Sequence, residues 1–352
     1  MEFGLSEEQT LLQDSLADFL EKEVTLDVVR QFNQSRDGTE IWRKITDLGL
    51  AGLLFPEEAG GSNSSIFDCA IINELFGYHV TPNSFIGSSV LLPRIMLQLG
   101  SRVEESFVDQ LLSGASTVGL ALGEAIGIRA DGGIEGNGNQ LTGKALYVHD
   151  FNATHYLVAD SKRRIYLVDK NADRLKGAVL STIDGSRVSG VLTFDKTPAY
   201  CLSENEQLLT EIIDIGRIML AADSLGAAQS MLDKAVSYSK TRKQFGRLIG
   251  SFQAVKHMCA EMAADLEPCR AMLWYAAHSA DAIPHELHIV ACHTKAHISE
   301  VTSKIAKTAI EVHGGVGFTD LLGLHYWFKR IGYNRQMLGT PELIRQEAAI
   351  HV

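Results

Sequence analysis

The chain has 352 residues, a formal net charge of −11, 45% hydrophobic and 21% charged residues. That length accommodates two or three domains around a large core, and the composition is ordinary globular. The acidic balance, with no basic run to offset it, excludes a non-specific electrostatic grip on nucleic acid.

In chain order, Met1-Glu2-Phe3-Gly4-Leu5 has neither a basic n-region nor an apolar h-region, so a cytoplasmic protein is expected. No apolar run is long enough to span a bilayer, which excludes membrane insertion by a helix. Ser6 with Gln9 three residues on predicts a capping box, and Leu12, Leu16, Phe19 and Leu20 then share one helical face. Pro56 and the Gly60-Gly61 pair demand a loop. Helical patterning returns from Ile66 to Tyr78 and from Gly87 to Leu99. Near Ser116 the composition turns to short runs rich in Gly, Val, Leu, Ile and Tyr. Gly136-Asn137-Gly138-Asn139 has hairpin-turn chemistry, and 164–168 and 188–194 read as strands of an antiparallel β domain. Long helices follow: Glu211 to Lys240, Ser251 to Ala280 with a kink at Pro268, and a third from near His285 to His313, ended by Gly314-Gly315. The expected organisation is α+β: an N-terminal helical domain (1–115), a small middle β domain (116–205) and a C-terminal four-helix-type bundle (206–352).

Five scattered cysteines, Cys69, Cys201, Cys259, Cys269 and Cys292, have no metal-type spacing and an odd count, so reduced, mostly buried thiols are expected. His293 and His297 have helical i, i+4 spacing without a following Glu, and with His278, His285 and His288 they read as polar helix positions rather than metal ligands. The densest motif is Ser239-Lys240-Thr241-Arg242-Lys243-Gln244-Phe245-Gly246-Arg247, followed by Gly250-Ser251-Phe252-Gln253. An arginine fork beside an aromatic at a turn holds a phosphate, and Gln253 offers an amide to a nucleobase. The same residues also make a helix C-terminus with dipole-complementing cations. Taken alone, they favour that second reading.

Three motifs together reverse it. Arg242-x-x-Phe245-Gly246 with Phe252-Gln253, the early Pro56-Glu57-Glu58-x-Gly60-Gly61 and the late His313-Gly314-Gly315-x-Gly317-Phe318 lie in the order and separation of the acyl-CoA dehydrogenase family, which the chain resembles over almost its whole length. The resemblance implies an FAD between β domain and bundle, reaching across a dimer interface, and α,β-dehydrogenation of an acyl-CoA. It implies that Arg242, Phe245 and Gln253 touch a neighbouring subunit's FAD and that Gly314 and Gly315 let backbone approach it. Glu311 stands where the family usually has Gln, Thr340 matches a Thr that reaches an FAD phosphate, and Glu342 replaces another Gln. Arg217 is expected at the substrate.

The departures are as informative. The family's Glu-Gly-Thr, whose Glu removes the α proton, reads Leu338-Gly339-Thr340 here, and the alternative base position on the long helix is Gly216. Neither residue takes a proton, so no catalytic residue is expected; a general base typically contributes ~10²–10⁴-fold. Asp214 is expected to be a solvated face residue. The family's Gly-Ser-Asp stretch is missing after Leu122-Gly123-Glu124-Ala125-Ile126-Gly127-Ile128-Arg129, and its Trp-Ile-Thr over the isoalloxazine reads Leu146-Tyr147-Val148. Motifs for a neighbour's cofactor are kept, while those for the chain's own flavin and substrate are degraded. The resemblance therefore implies a subunit that completes the FAD site of a partner bearing the Glu, with acyl-CoA (a bulky steroid-type thioester in some relatives) as substrate and an electron-transferring flavoprotein as acceptor. The rivals are an active homo-oligomer with a displaced base, Glu124 or Asp214, and a catalytically silent scaffold without flavin.

Overall fold

The computed structural model of the chain describes residues 4–100, 105–127 and 131–350. The segments Met1-Glu2-Phe3 and Ile128-Arg129, read above from sequence, lie outside them. Helices come first: α1 (Glu7–Glu23), α2 (Leu26–Ser35), α3 (Thr39–Asp47), α4 (Ile66–Tyr78), α5 (Leu92–Leu99) and α6 (Glu105–Leu112). The predicted capping box opens α1: the Gln9 N–H donates to Ser6 Oγ (3.1 Å) and the Ser6 N–H to Gln9 Oε1 (3.0 Å). Leu16 and Leu20 are buried from the expected face, with Leu12 and Phe19 packed beside them. The stretch expected to be helical from Gly87 begins instead as a buried π-helical segment, Ile86–Leu91. There the Leu92 N–H reaches back five residues to the Gly87 carbonyl, and Pro93 has no N–H to continue an α ladder.

Strands follow: β1 (Val118–Ala121), β2 (Gly133–Asn137), β3 (Gln140–His149), β4 (His155–Ala159), β5 (Ile165–Asp169), β6 (Leu175–Leu180), β7 (Ser189–Pro198) and β8 (Tyr200–Ser203). They form one sheet in the order β6-β7-β3-β1-β4-β5-β8, with β2 against β3. The predicted turn joins β2 to β3: Asn137 pairs with Gln140, and Gly138 takes a left-handed φ of +55°. The antiparallel expectation fails at one pair, β1 with β4, because the β2–β3 hairpin is inserted between them and returns the chain in parallel.

The bundle comprises α7 (Glu206–Thr241), a two-residue-strand hairpin β9 (Lys243–Gln244) and β10 (Arg247–Leu248), then α8 (Gln253–Ala282), α9 (Leu287–His313), α10 (Leu324–Gln336) and α11 (Pro341–Ile350). Asn205 caps α7 by accepting from the Gln207 N–H (3.0 Å), so the helix starts a turn earlier than predicted. The helix α8 runs through Pro268 unbroken; the carbonyl that loses its donor belongs to Ala264, which is exposed to water. No helix among the described residues is long and apolar enough to cross a membrane. The cysteines are free thiols.

Helices α7 and α9 run side by side in the same direction. Asp214 meets His288 near their starts, at 2.9 Å, and the rings of Tyr238 and His313 stack at 4.6 Å near their ends. At ~1.5 Å per residue α7 is about 54 Å long, and its two functional ends stand roughly 40 Å apart.

Candidate functional site

The first end is exposed. Arg242 closes α7 in an extended conformation (φ −73°, ψ 131°) and leads into the β9–β10 hairpin. Phe245 (φ +53°) and Gly246 (φ +79°) make its tip, and the Phe245 ring is 90% exposed. The Arg247 guanidinium lies 4.0 Å from the centroid of Phe252, which stands edge-on to Phe245. Gln253, also exposed, opens α8. The Tyr238–His313 stack brings the end of α9 to the same place, with Glu311, Gly314 and Gly315 exposed. Gly314 has φ +64°, and a Cβ on Gly246, Gly314 or Gly315 would meet nothing within 4 Å. A fixed cation, a solvent-facing aromatic, an amide and bare backbone thus share one surface, a set suited to a phosphate and a nucleobase. Six of the residues singled out from sequence are gathered here, and they fit the nucleotide end of an FAD.

Thr340 is at the other end. Its Oγ1 accepts from the Leu343 N–H (3.4 Å) and so caps α11. Leu338 beside it has a left-handed backbone (φ +53°) and is 4% exposed. A Cβ on Gly216 would stand 2.6 Å from Leu338 Cδ1 and 3.5 Å from Leu91 Cδ1. Leu338 and Gly216 therefore pack against each other and against Leu91 of the π segment.

Arg217, expected at the substrate, is wholly buried and directed at protein groups. Its Nε donates to the Leu338 carbonyl (3.0 Å), Nη1 to Asp214 Oδ1 (3.0 Å) and Glu347 Oε1 (3.0 Å), and Nη2 to Glu347 Oε2 (2.6 Å). Asp214 is not the solvated residue expected from sequence. It is 1% exposed, because it lies three residues before Arg217 on one helical face and is roofed by His288 of α9. Burial raises the Asp214 pKa, opposed by His288 and Arg217; the hydrogen bond to Asp214 raises that of His288. A cavity of about 570 Å³ lies elsewhere, but the one beside this network holds about 870 Å³, lined by Arg163, Thr210, Asp214, Arg217, His288 and Glu347 among others. Leu338 and Gly216 do not line it.

Asp214, His288 and Cys292 bring metal-type donor atoms within 4.8 Å of one another. Sequence spacing missed the group because Asp214 comes from a different helix. Arg217 Nη1 already touches Asp214 and, at 3.3 Å, Cys292 Sγ, so a guanidinium supplies the positive charge there. Burial pushes the Cys292 thiol up to about 12, against the pull of Arg217. Glu124, the other displaced-base candidate, accepts from the Leu146 N–H on β3 (2.9 Å). Tyr147 is left-handed (φ +54°) and exposed at a break in the β3–β7 register, Val148 is fully buried, and Leu146 and Val148, at the first and third positions of the expected Trp-Ile-Thr platform, carry neither a stacking ring nor a hydroxyl. The residues at this end do not fit a flavin ring with its substrate.

Helical domain, sheet domain and long-helix bundle follow one another along the chain, with an exposed, nucleotide-suited end. Residues 6–115 match the family description "Acyl-CoA dehydrogenase, N-terminal domain" and residues 207–352 "Acyl-CoA dehydrogenase, C-terminal domain". The chain belongs to the acyl-CoA dehydrogenase family of oxidoreductases. Acyl-CoA dehydrogenase IpdE2 of Mycolicibacterium smegmatis is 29% identical over 354 residues, covering 98% of this chain and 100% of that one. The caffeyl-CoA reductase-Etf complex subunit CarC of Acetobacterium woodii is 27% identical, covering 89% of each. Among solved structures, a variant of the Tcur3481-Tcur3483 steroid ACAD superposes with a TM-score of 0.89 at 26% identity, covering 98% of this chain and 97% of that one. The ChsE4-ChsE5 complex from Mycobacterium tuberculosis, at a TM-score of 0.90, 22% identity and coverage of 100% and 98%, shares the fold.

Proposed function

We propose that this chain is the non-catalytic subunit of a cytoplasmic, heteromeric, FAD-dependent acyl-CoA dehydrogenase. In this reading it pairs with a homologous subunit that carries the catalytic Glu and presents Arg242, Phe245, Gln253, Glu311, Gly314 and Gly315 to that partner's FAD. The flavin, when bound, supplies the hydride acceptor for α,β-desaturation of an acyl-CoA thioester. This chain supplies a cationic and aromatic seat for the nucleotide and excludes water from it; the proton acceptor belongs to the partner. Electrons pass on to an electron-transferring flavoprotein. A bulky, steroid-type acyl group is the favoured substrate class, supported by the steroid ACAD neighbour.

The observation that carries this reading is the polarity of α7. Its exposed end keeps the nucleotide-suited set, while roughly 40 Å away Leu338 is packed on Gly216, and neither accepts a proton. One chain cannot bring both ends to one cofactor, so the intact end serves a neighbour.

Co-expression tests it. This chain is made alone and together with a homologous subunit bearing the Glu. A yellow, active complex only on co-expression supports the reading; flavin-dependent activity from this chain alone supports a displaced base instead, and a complex without flavin supports a scaffold. Within the complex, Arg242→Ala is expected to lose FAD while both chains stay assembled.

A further inference from the structure

A second buried charge cluster joins all three domains and plays no part in the reading above. Asp223 of α7 is 0% exposed and accepts from Arg330 Nε (2.9 Å) and Nη2 (2.8 Å), Arg187 Nη2 (2.9 Å) and Asn334 Nδ2 (2.6 Å). Arg330 and Asn334 belong to α10, and Arg187 to the segment entering β7. Arg330 also donates to Ser186 Oγ (3.2 Å) and to the Thr81 carbonyl (3.0 Å), which lies in the connection after α4. Arg187 Nη1 stands 3.0 Å from His149 Nε2 at the end of β3. A guanidinium only donates, so that nitrogen accepts, and Nδ1–H donates to Tyr333 Oη (3.1 Å), itself 2.9 Å from Ser189 Oγ.

Helical domain, sheet and bundle are thus tied through one carboxylate. Burial disfavours the charge on Asp223, but Arg330 and Arg187 outweigh it and hold its pKa at about 2. Burial, reinforced by Arg187, keeps His149 neutral. Two guanidiniums exceed one carboxylate, and the buried Asp184 and Asp150 also face Arg330.

We infer that Asp223, Arg187 and Arg330 form an ion lock that ties this chain's helical domain, sheet and bundle together through protein side chains and makes its domain packing independent of bound flavin. The inference rests on the proposed function, in which the flavin belongs to the partner. A cofactor seated between domains stabilises them by mass action, and that contribution disappears when it dissociates. Here the junction of the three domains is held by groups the chain itself carries. Removing one member leaves buried charge without its partner, the costly way to break such a network.

The test is hydrogen exchange on the assembled heteromer, read in this chain over 143–149 and 186–192, with flavin present and after it is stripped. Wild-type protection is expected to be the same in both states. Asp223→Asn is expected to lower it roughly 100-fold or more in both, as for loss of one partner from a buried ion network. Arg330→Lys, which keeps the charge but not the planar fork, is expected to fall between and serves if Asp223→Asn does not assemble. A wild-type seam that loosens when flavin leaves, or a seam indifferent to both substitutions, overturns the lock. Flavin content of the Arg242→Ala complex is read in parallel: unchanged content sinks the proposed function without touching the exchange result, so the two failures are told apart.

Discussion

Leu338 keeps a left-handed backbone that costs a non-glycine residue about 1–3 kcal/mol, held by the Arg217 bond to its carbonyl. In the proposed reading this turn is kept without the catalytic Glu. Restoring that side chain is not expected to restore chemistry. Leu338→Glu places a carboxylate at a 4% exposed position against Leu91 and Gly216, so we predict a loss of at least several kcal/mol or neutralisation of the acid. A lowered melting temperature and no flavin-linked turnover are the expected readings; a stable, active variant rejects the packing argument. Asp150 gives a residue-level pH signature. Burial raises its pKa from 3.8 to about 7, against Arg187 and Arg330. Between those values the folded chain holds a proton that the unfolded chain has released, so this group's contribution falls as pH rises from ~4 to ~7 and then levels off. Asp150→Asn is predicted to stabilise the protein by about 1–3 kcal/mol at pH 8, with the gain shrinking toward pH 4. Equal melting temperatures for mutant and wild type at pH 8 count against it. Leu338 and Gly216 were singled out from the sequence, and the structure packs them against each other. The burial of Asp214 was not legible there, because its partner His288 is 74 residues away on another helix.

Among elements, the decisive contact is α4 on α7. A Cβ on Gly77 would stand 1.9 Å from the Asp223 carbonyl oxygen, and one on Gly226 1.7 Å from the Glu74 carbonyl oxygen. Both neighbours are backbone, so relief requires moving a helix rather than a side chain. Gly77→Ala and Gly226→Ala are each predicted to destabilise by about 3 kcal/mol or more, read by chemical denaturation; a change under 1 kcal/mol removes the close crossing. Helical periodicity found α4 and the long helices because it needs only local pattern. It missed the π-helical opening of α5, which depends on a buried Gly87 whose Cβ would meet the Val118 carbonyl oxygen at 2.0 Å, a contact made by a strand far along the chain. The parallel β1–β4 pair was equally invisible, since strand patterning carries no direction.

For the whole molecule, the proposed heteromer predicts one flavin for every pair of chains, measurable as flavin absorbance against protein mass; two per pair contradicts the reading that the flavin belongs to the partner. By itself the sequence determined the α–β–α order and the family, because these follow from local periodicity and from side-chain identity at motif positions. Only the tertiary structure decided where those motifs stand: one set exposed at the end of α7, the other walled in by Leu91 and Leu338, and a carboxylate at its middle joining three domains. Distances between residues remote in sequence are set by packing, and no spacing along the chain encodes them.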